Sequence, residues 1–205
     1  MTKSKLLLPF LLVGAVILIS GCTNNNQNNN FEELIANIHQ DGKFIFEDLT
    51  WLLDRDEVME LKDLSEDNTQ QGSLDYLSKP IGAFDMDDGS LEQTVVYILS
   101  ENKKDSQFVS GEYRLYTPDK ELFVEFANKL KTYLSDSLTE PYGNDLSVLE
   151  QADDVSNQPK RVLWEGSDGS MLTTSINTIQ TEDEETKYLL VIKTGAPIPD
   201  EDSLE

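Results

Sequence analysis

The chain has 205 residues, 39 acidic and 16 basic, for a formal net charge of −23 at neutral pH. A field of that sign repels nucleic acid, anionic headgroups and anionic wall polymers, which excludes nucleic-acid binding and favours cationic partners or divalent ions. One cysteine and one histidine allow no internal disulfide and make a zinc or copper site improbable, so the fold must stand on packing alone.

In chain order, Lys3 and Lys5 form a short cationic end, Leu6 to Ile19 is an uncharged aliphatic run, and Ser20-Gly21 supplies small residues. This is the layout of a secretory signal peptide. As a helix the run rises roughly 21 Å, short of a ~30 Å hydrocarbon core, and Pro9 and Gly14 weaken it further. A permanent membrane span is the poorer reading. The sequence Ile19-Ser20-Gly21-Cys22 resembles the lipobox of bacterial lipoproteins. The resemblance implies a diacylglycerol thioether on Cys22 and cleavage after Gly21, leaving Cys22 as the mature N-terminus. It places the protein on the lipid bilayer of a cell membrane, facing the extracytoplasmic side. No other cofactor is expected. Thr23 to Asn30, nearly all amides, lacks the apolar side chains of a core and is expected to be a solvated spacer.

The expected organisation is a cleaved signal peptide over 1–21, lipidated Cys22 with an Asn-rich tether over 22–30, one α+β domain over 31–194 and an acidic disordered tail over 195–205. Asn30, three positions before Glu33, predicts a helix cap, with Phe31, Leu34, Ile35 and Ile38 on one face and Asp41-Gly42 as the stop. Residues 43–46 read as a short strand. Asp54 with Glu57 repeats the capping device and offers Val58, Leu61 and Leu64 for burial. Positions 65–73 read as a polar linker.

The centre is rich in strand signals. Val95 to Leu99 is apolar on both faces, as in an inner strand, and residues 106–117 alternate with Val109, Tyr113 and Leu115 inward and Glu112 and Arg114 outward. Thr117 and Pro118 then predict a helix start, and Leu122, Phe123, Phe126, Leu130, Tyr133 and Leu134 predict one buried stripe, ended by Pro141 and Gly143. Three further strands follow, with a tight turn at Asp168-Gly169 and an acidic loop near Glu182 to Glu185. The expectation is α+β: a mainly antiparallel sheet of about five or six strands covered by one long helix, with short N-terminal helices.

Little in the sequence points to catalysis. His39 is the sole imidazole, expected exposed at a helix end, and no serine elbow or glycine-rich phosphate cradle occurs. Asp85, Asp87 and Asp88 precede Gly89, yet an EF-hand register would put ligands on Phe84, Met86 and Val95, and it fails. A looser turn site for calcium stays open there. Trp51 and Trp164 sit in apolar contexts and are expected in the core, rather than as platforms for sugar rings. The function expected is a membrane-anchored binding or scaffolding module for an unidentified envelope protein, not an enzyme. Its contact surface would be a sheet face or an acidic rim. A small-molecule or ion-binding accessory protein is the second reading, and a wall or glycan hydrolase the third.

Overall fold

Apolar residues recur with period two through the centre and C-terminal part of the chain, and these segments pair into one antiparallel sheet. The computed structural model describes residues 26–70, 75–100, 106–138, 160–181 and 183–197, without the side chains of 26–29, 70 and 160. Ile19, Ser20, Gly21 and Cys22 lie outside the described residues, as do Pro141, Gly143, Glu182 and the chain beyond Pro197.

The elements are α1 (Asn26–Ala36), the small hairpin β1 (His39–Gln40) and β2 (Lys43–Phe44), α2 (Arg55–Leu61), β3 (Thr69–Gln70), β4 (Asp75–Met86), β5 (Gly89–Leu99), β6 (Phe108–Thr117), α3 (Lys120–Ser137), β7 (Lys160–Glu165), β8 (Met171–Gln180) and β9 (Thr186–Gly195). The sheet order is β3-β4-β5-β6-β9-β8-β7, six long strands and a two-residue edge strand. This is the α+β architecture read from the sequence, with α3 packed on one face.

The core lies between that face and the helices. Leu122, Phe123, Phe126, Ala127, Leu130 and Leu134 of α3 are buried against Val95, Leu115, Leu190 and Ile192 of the sheet. Burying each such side chain contributes about 1.5–3 kcal/mol. Phe31 of α1 enters the same core, its ring 4.9 Å from those of Phe84 and Tyr133 and 5.4 Å from that of Phe126. Trp164 is buried in the core, and Trp51, partly buried, stacks on Phe108 at 5.1 Å.

Several local expectations are corrected. Helix α1 starts at Asn26, so part of the amide run given to the tether is helical, and Asn30 is not a cap. The Asn30 side-chain amide instead donates to the Asp85 carbonyl, 3.4 Å away. Helix α3 is capped by Asp119, whose carboxylate accepts from the Glu121 and Leu122 amides, and not by Thr117. Leu61 is exposed at the last position of α2, whereas Val58 is buried as expected. Residues 66–70 are not a linker: a 3-10 turn leads into β3, which pairs with β4. On β6, Phe108 is buried and Val109 only partly so, because the pairing with β5 shifts between Ile98 and Leu99. The bulged residue is left without a partner and reverses the alternation before it.

Candidate functional site

The face of the sheet opposite α3 carries residues of the other parity: Thr94 of β5, Glu112, Arg114 and Tyr116 of β6, Leu189, Val191 and Lys193 of β9, and Thr173, Ser175 and Ile179 of β8. Arg161 of β7 pairs with Ser175 and completes the row. Among the described residues no helix lies on this face. A cleft of about 630 Å³ opens there, within the range of small-ligand sites. Its floor is apolar at Leu189 and Val191, hydroxyls of Thr94, Thr173 and Ser175 border it, and cations stand around it.

Register sets the charges. Glu112 and Arg114 are two apart on one strand and so share a face, and Lys193 is the cross-strand partner of Glu112. Glu112, nearly buried, accepts from Arg114 Nε at 2.9 Å and Nη2 at 2.8 Å through Oε2, while Lys193 Nζ lies 3.4 Å from Oε1. One carboxylate therefore holds two cations in place. Nearby, Lys187 Nζ donates to Glu92 at 3.1 Å and sits 5.2 Å from the Tyr116 ring centroid. The Glu92 carboxylate keeps the Lys187 ammonium above its ordinary pKa. Arg161 is exposed and makes no ion pair among the described residues.

A second polar cluster lies on the helix side. Glu47 accepts from the Tyr97 hydroxyl at 3.1 Å, the Tyr113 hydroxyl at 3.2 Å and Lys62 Nζ at 2.6 Å. Lys62 also pairs with Asp48. Burial, reinforced by the Glu47 charge, raises both tyrosine pKa values far above the phenol range. Both phenols stay protonated and act as donors. Burial opposes the Lys62 charge, but hydrogen bonds to Asp48 and Glu47 prevail and raise its pKa. A smaller cleft of about 340 Å³, lined in part by Asn30, Glu33, Asn37, Gln93 and Asp85, opens above Glu47 and Tyr113. With every Glu47 interaction directed inward, this cluster fastens the loop after β2 to the sheet.

The residues singled out in the sequence do not gather into one site. Asp85, one residue before the end of β4, is on the face away from α3, while Asp87 and Asp88 form the two-residue turn into β5, where Lys129 of α3 lies 3.3 Å from Asp87. A lysine ammonium thus occupies part of the space a cation would need. Among the described residues, no three His, Cys, Asp or Glu side chains are grouped to hold a metal. His39 is on β1, partly buried beside Phe44 at 5.5 Å, not exposed at a helix end. Burial lowers its pKa against the opposing pull of Asp41. Ser170 is buried, donates to Asp168 and accepts from the Phe44 amide, so its hydroxyl is committed to holding the β7–β8 turn against the β1–β2 hairpin. The turn at Asp168-Gly169 forms where expected, with Gly169 at φ +82°.

Sequence reading named Glu112 and Arg114 as outward-facing but did not join them to Arg161 and Lys193. That grouping depends on β9 crossing to lie beside β6, which strand patterns do not encode. Compared with protein-family models, curated proteins and solved structures, the chain matches none of them. No helix of the described residues is long and apolar enough to cross a membrane.

Proposed function

We propose that this protein is a lipid-anchored extracytoplasmic binding module of the bacterial cell envelope, and that the sheet face away from α3 is its binding surface. The single observation carrying this reading is the combination on that face of a ligand-sized cleft, an apolar floor and a group of cations in a chain of net charge −23. A face that only had to be soluble would carry the acidic composition of the rest of the chain. The reading is of a binding protein because the cleft residues present charge and shape around an apolar floor.

The anchor rests on the lipobox at Ile19 to Cys22. With α1 starting at Asn26, only Thr23, Asn24 and Asn25 separate Cys22 from the first helix, a span of at most roughly 14 Å. The body would then be held close to the headgroups. Two acyl chains give stable attachment where one gives only marginal binding.

Two measurements test the reading. Mass spectrometry of the mature chain should find diacylglycerol on Cys22, and Cys22→Ala should leave the membrane fraction. An unmodified thiol removes the anchor. Crosslinking from residues of the sheet face in the intact envelope should then recover a bound molecule, and the Arg161→Glu form should lose it. Crosslinks that survive this change, or arise only from the α3 side, would place the binding surface elsewhere.

A further inference from the structure

We propose that the cleft on the sheet face away from α3 receives a small amphipathic anion, an apolar body carrying one carboxylate or phosphate headgroup. This rests on the reading of that face as the binding surface and adds the chemistry of what it binds.

Charge comes first. Acids outnumber bases 39 to 16 in the chain, yet the cleft is lined by Arg114, Arg161 and Lys193 against Glu112 alone. The excess of cations is local and opposite in sign to the net charge of the chain. Arg161 has an exposed guanidinium with no carboxylate partner among the described residues, a donor fork suited to a planar or tetrahedral anion. Arg114 and Lys193 are held by the two oxygens of Glu112, with side-chain exposures of 34% and 40%. They keep donors free toward the cleft while Glu112 fixes their position. Preorganised cations of this kind bind an anion without first being ordered.

The floor sets the rest of the ligand. Leu189 and Val191 are partly buried, and Ile179, 41% exposed, stands at the margin of the cleft. An apolar body covering them removes that surface from water at a gain of roughly 25 cal/mol per Å². A bare inorganic anion would leave this gain unused. The global field argues against polyanions. Electrostatic screening acts over about 8 Å at physiological salt, so a single headgroup in the cleft feels the nearby cations most strongly. A longer polyanion would extend past them onto the acidic surface. The ligand is therefore compact, with its charge at one end.

The experiment uses the full chain in phosphatidylcholine nanodiscs, with empty nanodiscs subtracted, and calorimetry or ligand-detected magnetic resonance as the readout. The probes are 3-phenylpropanoate, phenyl phosphate, the neutral 3-phenylpropanol and inorganic phosphate. At least one aromatic anion should bind about tenfold more tightly than both the alcohol and inorganic phosphate, and the stronger of the two identifies the headgroup. Arg161→Glu, an exposed change that should leave the melting temperature nearly unaltered, should weaken that anion about tenfold. Glu112→Gln should tighten it, because it removes the one negative charge lining the cleft while keeping an oxygen to hold Arg114. Equal binding of anion and alcohol, equal binding of phenyl and inorganic phosphate, or indifference to Arg161→Glu would overturn the proposal. An envelope protein crosslinked to this face through Arg161, with no binding of either aromatic anion, would overturn it while leaving the binding-module reading intact.

Discussion

Glu47 stands at φ +53°, a left-handed backbone that non-glycine residues adopt only when their surroundings hold them there. Two buried phenols and Lys62 supply that hold. Glu47→Ala should cost about 1–3 kcal/mol in denaturant unfolding, since it leaves two phenol donors and an ammonium without their shared acceptor. Gly111 is constrained by contact: a Cβ there would lie 2.1 Å from the Phe46 ring, and Gly111→Ala should destabilise by about 1–3 kcal/mol in the same assay. The pH dependence follows from Tyr97 and Tyr113. Their folded pKa values are raised above the ordinary 10.0, so the unfolded chain releases these protons first and stability falls as pH rises beyond that value. Lys62, also raised, acts in the same direction: its contribution is present below 10.5 and is lost as pH climbs through its folded value. Ultraviolet titration should find two of the seven tyrosines silent until alkaline unfolding, and the Tyr97→Phe, Tyr113→Phe double variant should flatten the fall of melting temperature. Alternation placed Tyr113 inward and Tyr97 on an inner strand, but their shared acceptor was not legible in the sequence. Glu47, Lys62, Tyr97 and Tyr113 are brought together by tertiary packing, with no spacing that marks them.

Helices and strands were read more faithfully than their ends. The stripe on α3 is the one its period predicts, because Phe123, Phe126, Leu130 and Leu134 are large, closely spaced and unambiguous. Its start was misplaced by two residues: Thr117-Pro118 is an acceptable beginning by composition, but the Asp119 carboxylate reaches two free amides that the Thr117 hydroxyl does not. Asp119→Ala should therefore cost about 1 kcal/mol, read by thermal or denaturant unfolding. A markedly smaller loss would mean that Thr117 caps as well. On β6, one bulged residue exchanged the roles of Phe108 and Val109, a shift set by the partner strand and hidden from any period-two count. Helix α1 extends back into the amides because Phe31 anchors it in the core, which outweighs the weak helix preference of Asn.

At the scale of the molecule, a charge of −23 makes self-repulsion a standing cost, so melting temperature should rise with added salt. Calcium and sodium should raise it alike at matched ionic strength. A further rise of several degrees in millimolar calcium would reveal a site near Asp85 to Asp88, where Lys129 now sits against Asp87. Composition made this acidity plain. The cationic cleft was not legible, because it is a local exception assembled from strands β6 to β9 in an order set by topology.

The strand order carries one more consequence. Strands β3 to β6 form one meander and β7 to β9 another, and within the sheet they meet only where β6 pairs with β9, over Ser110 to Thr117 and Tyr188 to Gly195. The peptide may thus be severed anywhere between 139 and 159 without breaking a single described ladder. Two separately expressed pieces, divided there, should recombine into a native-like heterodimer, zipped along that seam and recognisable by recovered near-ultraviolet dichroism.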